Sequence, residues 1–512
     1  MPSPDPRSWA LADMVRSYLT EPIWSGSVWA AFNFLAHYRG FFARHESQDQ
    51  SGFPREAGKD ESVAEFLTSI LGDDEIVNNI VSAMMHGIYG GDINKLSAKH
   101  TMLETLWYRF QRPPPAAGRT WVDLDNLKVM YDMMHSPNRL KIIELAEGAI
   151  NWKLLAFEDG LVSLVSGLEK DLKSRSNVTF KYGEPVTSLK HEKHKILVTT
   201  PGTERPIKYD HVISTLFSKQ LARIAEPKNS LPSLEKTHAV TIMVVNLWYP
   251  NPNLLAQGGF GYLIPSTALN NHEGALGVLF DSELRTNDSE IPGTKLTVML
   301  GGHHWDGWKY FPSEEVGIAM AKEVVKRQLG ISDTENVVAR ARLCPNCLPQ
   351  HFVGHRERMR DAHYEIMSAF QGHLTVAGPS YTSVGVIPAM RAGFDAGMRV
   401  ARGHAQPWFP FTTSIDSEQS LNYDYWGGAK EGEVPDLLGA SGLLRFTANE
   451  WDSVRPVSRS ELLFRTFTAK DLRFRDEFGN FLDVDRRMLK NAPPGVWNGH
   501  KNQHAKSTES GD

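Results

Sequence analysis

Read for the spacing of its apolar positions, the chain opens helical, turns strand-rich in the middle and ends polar. Residues 23–38 hold Trp24, Trp29, Phe32, Phe34 and Leu35 with no Asp, Glu, Lys or Arg, and Arg39 and Phe41-Phe42 close the stretch. It is too short to cross a bilayer. That leaves a core helix, or a helix lying in a membrane interface with its aromatic face down. Ser62 and Glu65 form a capping box ahead of Val63, Phe66, Leu67, Ile70 and Leu71, and Gly72 ends that helix. A second amphipathic helix, carrying Ile76, Val77, Ile80, Val81, Met84 and Met85, runs into the turn HGIYGGD. There Gly87, Gly90 and Gly91 allow backbone to approach a flat ligand closely.

From about residue 150 the pattern becomes mixed α/β. A helix places Leu161, Leu164, Val165, Leu168 and Leu172 inward, and residues 178–182, 185–189 and 196–199 read as short strands. Residues 209–224 read as a strand feeding a helix. Four β-rich runs at 239–249, 258–264, 275–281 and 295–301 predict an antiparallel sheet. In 374–403, Leu374, Val376 and Ala377 end a buried strand, broken by Gly378-Pro379. A second turn at 383–385 precedes a helix with Pro388 at its first position, where a missing N–H is harmless. Met390, Phe394 and Met398 follow at helical spacing, with Gly393 and Gly397 as a flat face for close packing. A glycine turn delivered onto a helix N-terminus suits an anion or an electron-rich ring edge. Strand–turn–helix is common, however, and alone does not define a cofactor site.

Composition adds limits. With 512 residues, two to four domains are expected. A net charge of −5 argues against a nucleic-acid surface. Cys344 and Cys347 are the only cysteines, which excludes a disulfide framework. They make one CPNC pair, and a zinc site there would have to borrow His303, His304 or His351. The N-terminus has neither a secretory signal nor a mitochondrial presequence pattern. Residues 404–512 read as solvated charge runs with a disordered end.

Several stretches resemble one family. DESVAEFLTSILGDDEIVNNIVSAMMHGIYGGDINKLS (60–97) is similar to the membrane-facing helix pair of protoporphyrinogen oxidases, within the flavin amine oxidase superfamily, with Gly90 in place of alanine. AGPSYTSVGV (377–386) resembles their flavin-contacting segment, with Ser383 for a glycine and Ile387-Pro388 for Asn-Asp. The order of strands and helices between also matches, and the likeness runs from about residue 2 to 403. It implies an α+β and α/β architecture. A helical membrane-facing domain would occupy 1–149, an incomplete FAD-binding Rossmann-like domain 150–225 and 365–403, and an antiparallel substrate-side sheet 226–364. Residues 404–512 form an unrecognised extension.

The implied chemistry is oxidation of protoporphyrinogen IX by FAD in two-electron steps during haem biosynthesis, with molecular oxygen reoxidising the flavin. The implied location is a peripheral one on the mitochondrial inner membrane, and a homodimer is left open. No catalytic triad or acid–base pair is required, and no metal is implied. Val186, His355, Val384, Gly385 and Val386 match cofactor-contacting positions. Arg7, Gly87, Leu263 and Met299 match substrate-contacting ones, Arg7 as a partner for a carboxylate. His86 and Asp92 border the glycine turn and are candidates to titrate near substrate.

One feature of the family is missing. No strand–GxGxxG–helix, the usual cradle of the FAD pyrophosphate, occurs in the sequence. The reading is therefore of an N-terminally truncated chain that holds FAD poorly or not at all, with the edge of strand 374–377 left unpaired. Two other readings stay open: a non-catalytic porphyrin- or membrane-binding remnant, and a different flavin amine-oxidase-like enzyme.

Overall fold

The computed structural model describes residues 11–46, 59–111, 119–123, 136–149, 159–256, 258–284, 292–401, 440–446 and 454–458, with isolated positions between. Arg7 lies outside the described residues, as does most of 404–512. The chain divides into two compact units, one built from 1–114, 211–405 and 440–446, the other from 115–210, 406–439 and 447–512.

In the first unit the helices α1 (Leu11–Thr20), α2 (Ser27–Glu46), α3 (Val63–Leu71), α4 (Ser82–Tyr89) and α5 (Glu104–Gln111) come first. The capping box at α3 forms as the sequence dictates: the Glu65 amide donates to Ser62 Oγ, and the Ser62 amide donates to the Glu65 carboxylate. Phe66, Leu67 and Ile70 of α3 then bury against Met85 of α4 and Trp107 of α5. Gly72 and Gly90, both left-handed, end α3 and α4.

The strands β1 (Val212–Ser214), β2 (Ala239–Tyr249), β3 (Gly261–Leu263), β4 (Ala275–Phe280), β5 (Thr294–Gly301), β6 (Val338–Pro349) and β7 (Leu374–Val376) follow. Five of them make one antiparallel sheet in the order β6-β2-β5-β4-β3. Its side chains alternate between faces. Met243, Val245, Leu247, Val298 and Leu300 bury on one face, beneath Ala321, Val324 and Val325 of α6 (Glu314–Leu329). Val244 and Met299 point to the other face, where Val240 and Ile242 add a smaller apolar cluster. Burying one face fixes the register, because a one-residue slip would exchange the faces.

β1 and β7 pair in parallel, Leu374 opposite Val212, and β7 lies between α7 (His355–Phe370) and α8 (Val386–Ala401) in sequence. The other edge of β7 is not left open as the sequence reading expected. The Val376 amide donates to the Ser441 carbonyl at 3.0 Å, and Thr375 Oγ1 to the Ala440 carbonyl at 2.7 Å. Chain from 440–446 has filled the place. Gly442 permits it: its φ is +81°, and a Cβ there would stand 2.3 Å from the Val376 carbonyl oxygen.

α8 also departs from expectation. It starts at Val386, so Pro388 lies inside the first turn, where its missing N–H still leaves no helical bond unmade. Gly393 and Gly397 meet nothing within 4 Å, and Ile387 and Met390 are exposed. Asp395, Ala396 and Arg399 are buried instead. Arg399 donates to Thr375 Oγ1 on β7, which turns the apolar face outward.

The second unit holds an antiparallel pair, Arg119–Asp123 with Val454–Ser458, and the helices Arg139–Ala149 and Val162–Lys173. A hairpin, Ser188–Glu192 with Lys195–Thr199, turns through Lys193 and His194 at φ of 49° and 64° and adds Ile207–Tyr209 as a third strand. Residues 178–182 are not a strand; no ladder partner among the described residues reaches them. Leu161, Val165 and Leu168, expected inside, are exposed, because no described strand layer of this unit lies across that helix face.

Candidate active site

The site is best built from the sheet face opposite α6. Registers place Leu263 beside Gly277, Gly277 beside Met299, Met299 beside Val244, and Val244 beside Arg342. Paired residues on adjacent strands project to the same side, so these five make one transverse row spanning about 19 Å at 4.7–4.9 Å per strand. Gly277 has no side chain to interrupt it. Over the Leu263 end lies α4. A Cβ at Gly87 would stand 2.6 Å from Leu263 Cδ2, so helix backbone rests directly on that side chain. The structure thus brings Gly87, Leu263 and Met299 together although they are far apart in sequence. Arg342, which the sequence reading missed, ends the row as an exposed cation with no ion pair among the described residues. Its signal was the alternation ARARL on a strand, visible only once β6 is registered on β2.

Behind Gly87 two glycine turns meet back to back. A Cβ on Gly302 would lie 2.4 Å from the Gly90 carbonyl oxygen, and the His303 amide donates to that oxygen at 2.7 Å. Only glycine tolerates this approach. The contact collects three imidazoles. His86 Nδ1 donates to the Ile264 carbonyl at 2.6 Å, and His86 Nε2 lies 2.8 Å from His303 Nε2. The His304 ring centroid is 4.2 Å from that of His303. Burial lowers the pKa of all three, His303 to about 3 and His304 to about 4, so they are neutral at pH 7. Asp92 remains a carboxylate: burial pulls its pKa up, but hydrogen bonds from Asn94 and the nearby His303 and Lys95 bring it below the ordinary value.

The flavin-type turn lies between β7 and α8. Gly378 and Gly385 have φ of +116° and +118°, which other residues rarely adopt. Nothing fills the Cβ position of Gly378, and Gly385 and Val386 are exposed at the start of α8. Val384 packs partly on the helical core. His351 Nε2 donates to the Pro379 carbonyl at 2.9 Å and His355 Nε2 to the Tyr381 carbonyl at 3.2 Å, the two rings stacked at 4.1 Å. Fully buried, His355 braces the turn from behind and presents no free edge. Burial lowers the pKa of both, His351 to about 4. Vacant Cβ space at Gly378 and the N-terminal end of α8, where helix amides lack intrahelical acceptors, fit the edge of a flavin ring. Val186 is a partly exposed residue of the second unit, two positions before its hairpin.

Helices feeding a glycine turn, an antiparallel sheet with one apolar face open and a glycine turn leading onto α8 define a flavoprotein of the amine oxidase type. Residues 18–401 match the family described as flavin containing amine oxidoreductase, and the chain belongs to that family. Among curated proteins it is 27% identical over 353 residues to protoporphyrinogen oxidase of Schizosaccharomyces pombe, covering 67% of this chain and 68% of that protein. It is 28% identical over 357 residues to protoporphyrinogen oxidase of Homo sapiens, covering 68% and 70%. Among solved structures, a protein from Exiguobacterium sp. 255-15 described provisionally as a protoporphyrinogen oxidase superposes with a TM-score of 0.52 at 18% identity, covering 72% of each chain. That likeness carries the fold alone.

Proposed function

We propose that this chain oxidises protoporphyrinogen IX, or a closely related reduced tetrapyrrole, with FAD as acceptor and oxygen as the final oxidant. The observation that supports it best is the row Leu263–Gly277–Met299–Val244 facing the backbone of Gly87. A wide, flat, mostly apolar ligand needs such a floor, and a glycine wall lets it lie close. Bound flavin would supply hydride acceptance, chemistry that belongs to the cofactor. The chain's own residues bind, orient and exclude water. Gly87, Leu263 and Met299 hold the ring, and Arg342 pairs a propionate carboxylate at the far end of the row. Gly378, Val384, Gly385 and Val386 border the flavin ring and His355 keeps that turn in shape; Val186 is an adenine contact on the strength of the resemblance alone. Arg7 stays a proposal for a second carboxylate. Neighbouring α2 docks the enzyme peripherally on a membrane that concentrates the apolar substrate.

Porphyrin fluorescence reports the reaction directly. With FAD supplied in excess, the chain should form porphyrin from protoporphyrinogen. Gly87→Phe should abolish turnover by driving its ring into Leu263 and pushing that side chain out of the row, while Arg342→Ala should raise KM about tenfold, the loss of one exposed charge-assisted contact. No porphyrin at saturating FAD, with tetrapyrrole still bound, would transfer the assignment to a non-catalytic porphyrin-binding protein.

A further inference from the structure

The imidazole cluster behind Gly87 has no part in that chemistry. His86, His303 and His304 bring ring nitrogens to within 4.8 Å of one another. They come from two elements: the last turn of α4, and the short 3-10 turn Gly302–Trp305 after β5. The Ile264 carbonyl, accepting from His86 Nδ1, settles the tautomer of that ring and leaves a bare lone pair on Nε2. That arrangement, with the distal nitrogen free and the proximal N–H anchored to a carbonyl, is how metal-binding histidines are held. His303 Nε2 faces the lone pair at 2.8 Å. His304 Nε2 is shut off from solvent with no hydrogen-bond partner among the described residues. An unsatisfied buried nitrogen beside two converging ones calls for an electrophile.

We infer that His86, His303 and His304 form a binding site for one zinc-class divalent cation, clamping the helix that carries Gly87 to the sheet. Three imidazoles suit zinc, copper(II), nickel or cobalt over magnesium or calcium. Zinc–nitrogen bonds of about 2.0–2.1 Å in a tetrahedron set the nitrogens about 3.3 Å apart. The His86–His303 pair therefore opens by about 0.5 Å and His304 swings inward, a change within the reach of two partly buried rings on a short turn. Without metal, the 2.8 Å contact needs a proton on His303 Nε2. The cation takes the proton's place between the lone pairs, and that proton moves to Nδ1 of the same ring. Asp92, whose charge acts on all three rings, compensates the added positive charge. Water completes the coordination shell.

Cobalt(II) is a suitable probe, because its visible absorption reports nitrogen ligation directly. Titration of the full chain, stripped of metal by chelator, should give ligand-field bands saturating at one equivalent and displaced by zinc. His303→Gln and His304→Gln should each weaken binding at least tenfold, the scale seen when even an indirect metal contact is lost. Cys344→Ser with Cys347→Ser should leave the titration unchanged. Absence of these bands with the unaltered chain would overturn the proposal, and so would full uptake by the His303→Gln, His304→Gln double variant. Since the unaltered chain is itself decisive, a variant that failed to fold would not shelter the idea.

Discussion

Single buried groups set the finest-grained expectations. Lys99 is 2% exposed, with its ammonium 5.2 Å from the centre of the Trp107 ring. Burial lowers its pKa to about 8, Arg356 adding to the effect while Asp60, Glu357 and Glu104 oppose it. Below pH 8 the lysine is charged in both the folded and unfolded states, so the desolvation penalty is fully present. Between pH 8 and the ordinary lysine value of about 10.4, the unfolded chain binds more protons, so stability rises with pH. The whole effect is on the order of 3 kcal/mol at 1.36 kcal/mol per pKa unit. Denaturant unfolding should therefore show stability climbing from pH 8 to pH 10, with Lys99→Met nearly flat and more stable at pH 7. An equal slope in both proteins would mean another group carries it.

At the scale of elements, α2 carries the clearest prediction. Trp29, Phe32 and Leu35 are all more than half exposed, and Trp24 just before the helix is 36% exposed. Phe34 instead packs against Phe110 at 5.7 Å. Among the described residues no helix is long and apolar enough to cross a membrane, so an apolar face of this kind suits the plane of an interface. Changing Trp24, Trp29 and Phe32 to Ser should cut co-sedimentation with anionic vesicles severalfold and spare the fold, whereas Phe34→Ser should chiefly destabilise. Undiminished co-sedimentation of the triple variant would dismiss the anchor.

Elements also show what the sequence could and could not reveal. The α3 capping box and the β-rich run of β2 were legible because each is decided within a few residues. Strand register was not, so Arg342 went unnoticed and His303 and His304 entered only as partners for the cysteines. The outward face of α8 was illegible for a related reason. Periodicity finds an apolar stripe, but the buried Arg399 contact to Thr375 decides which way it points.

For the whole molecule, the question is how much of FAD this polypeptide can grip. The turn at Gly378–Gly385 offers vacant space to a ring edge. For the pyrophosphate the described residues offer less. Among the described residues, the glycine segment that completes the β7 edge leads into Leu444–Phe446, a 3-10 turn, which is too short to carry the dipole of a long helix. A full cradle would add several charge-assisted hydrogen bonds, each about 1.5–3 kcal/mol, and would separate FAD from riboflavin by a thousandfold or more. The ring is therefore expected to carry most of the recognition. Flavin fluorescence quenching with this 512-residue chain should give dissociation constants for FAD, FMN and riboflavin within about tenfold of one another. Gly385→Val should weaken all three alike, because its strained φ would distort the shared ring contact. A thousandfold preference for FAD would locate a pyrophosphate cradle in this chain and refute the ring-edge account of its flavin binding.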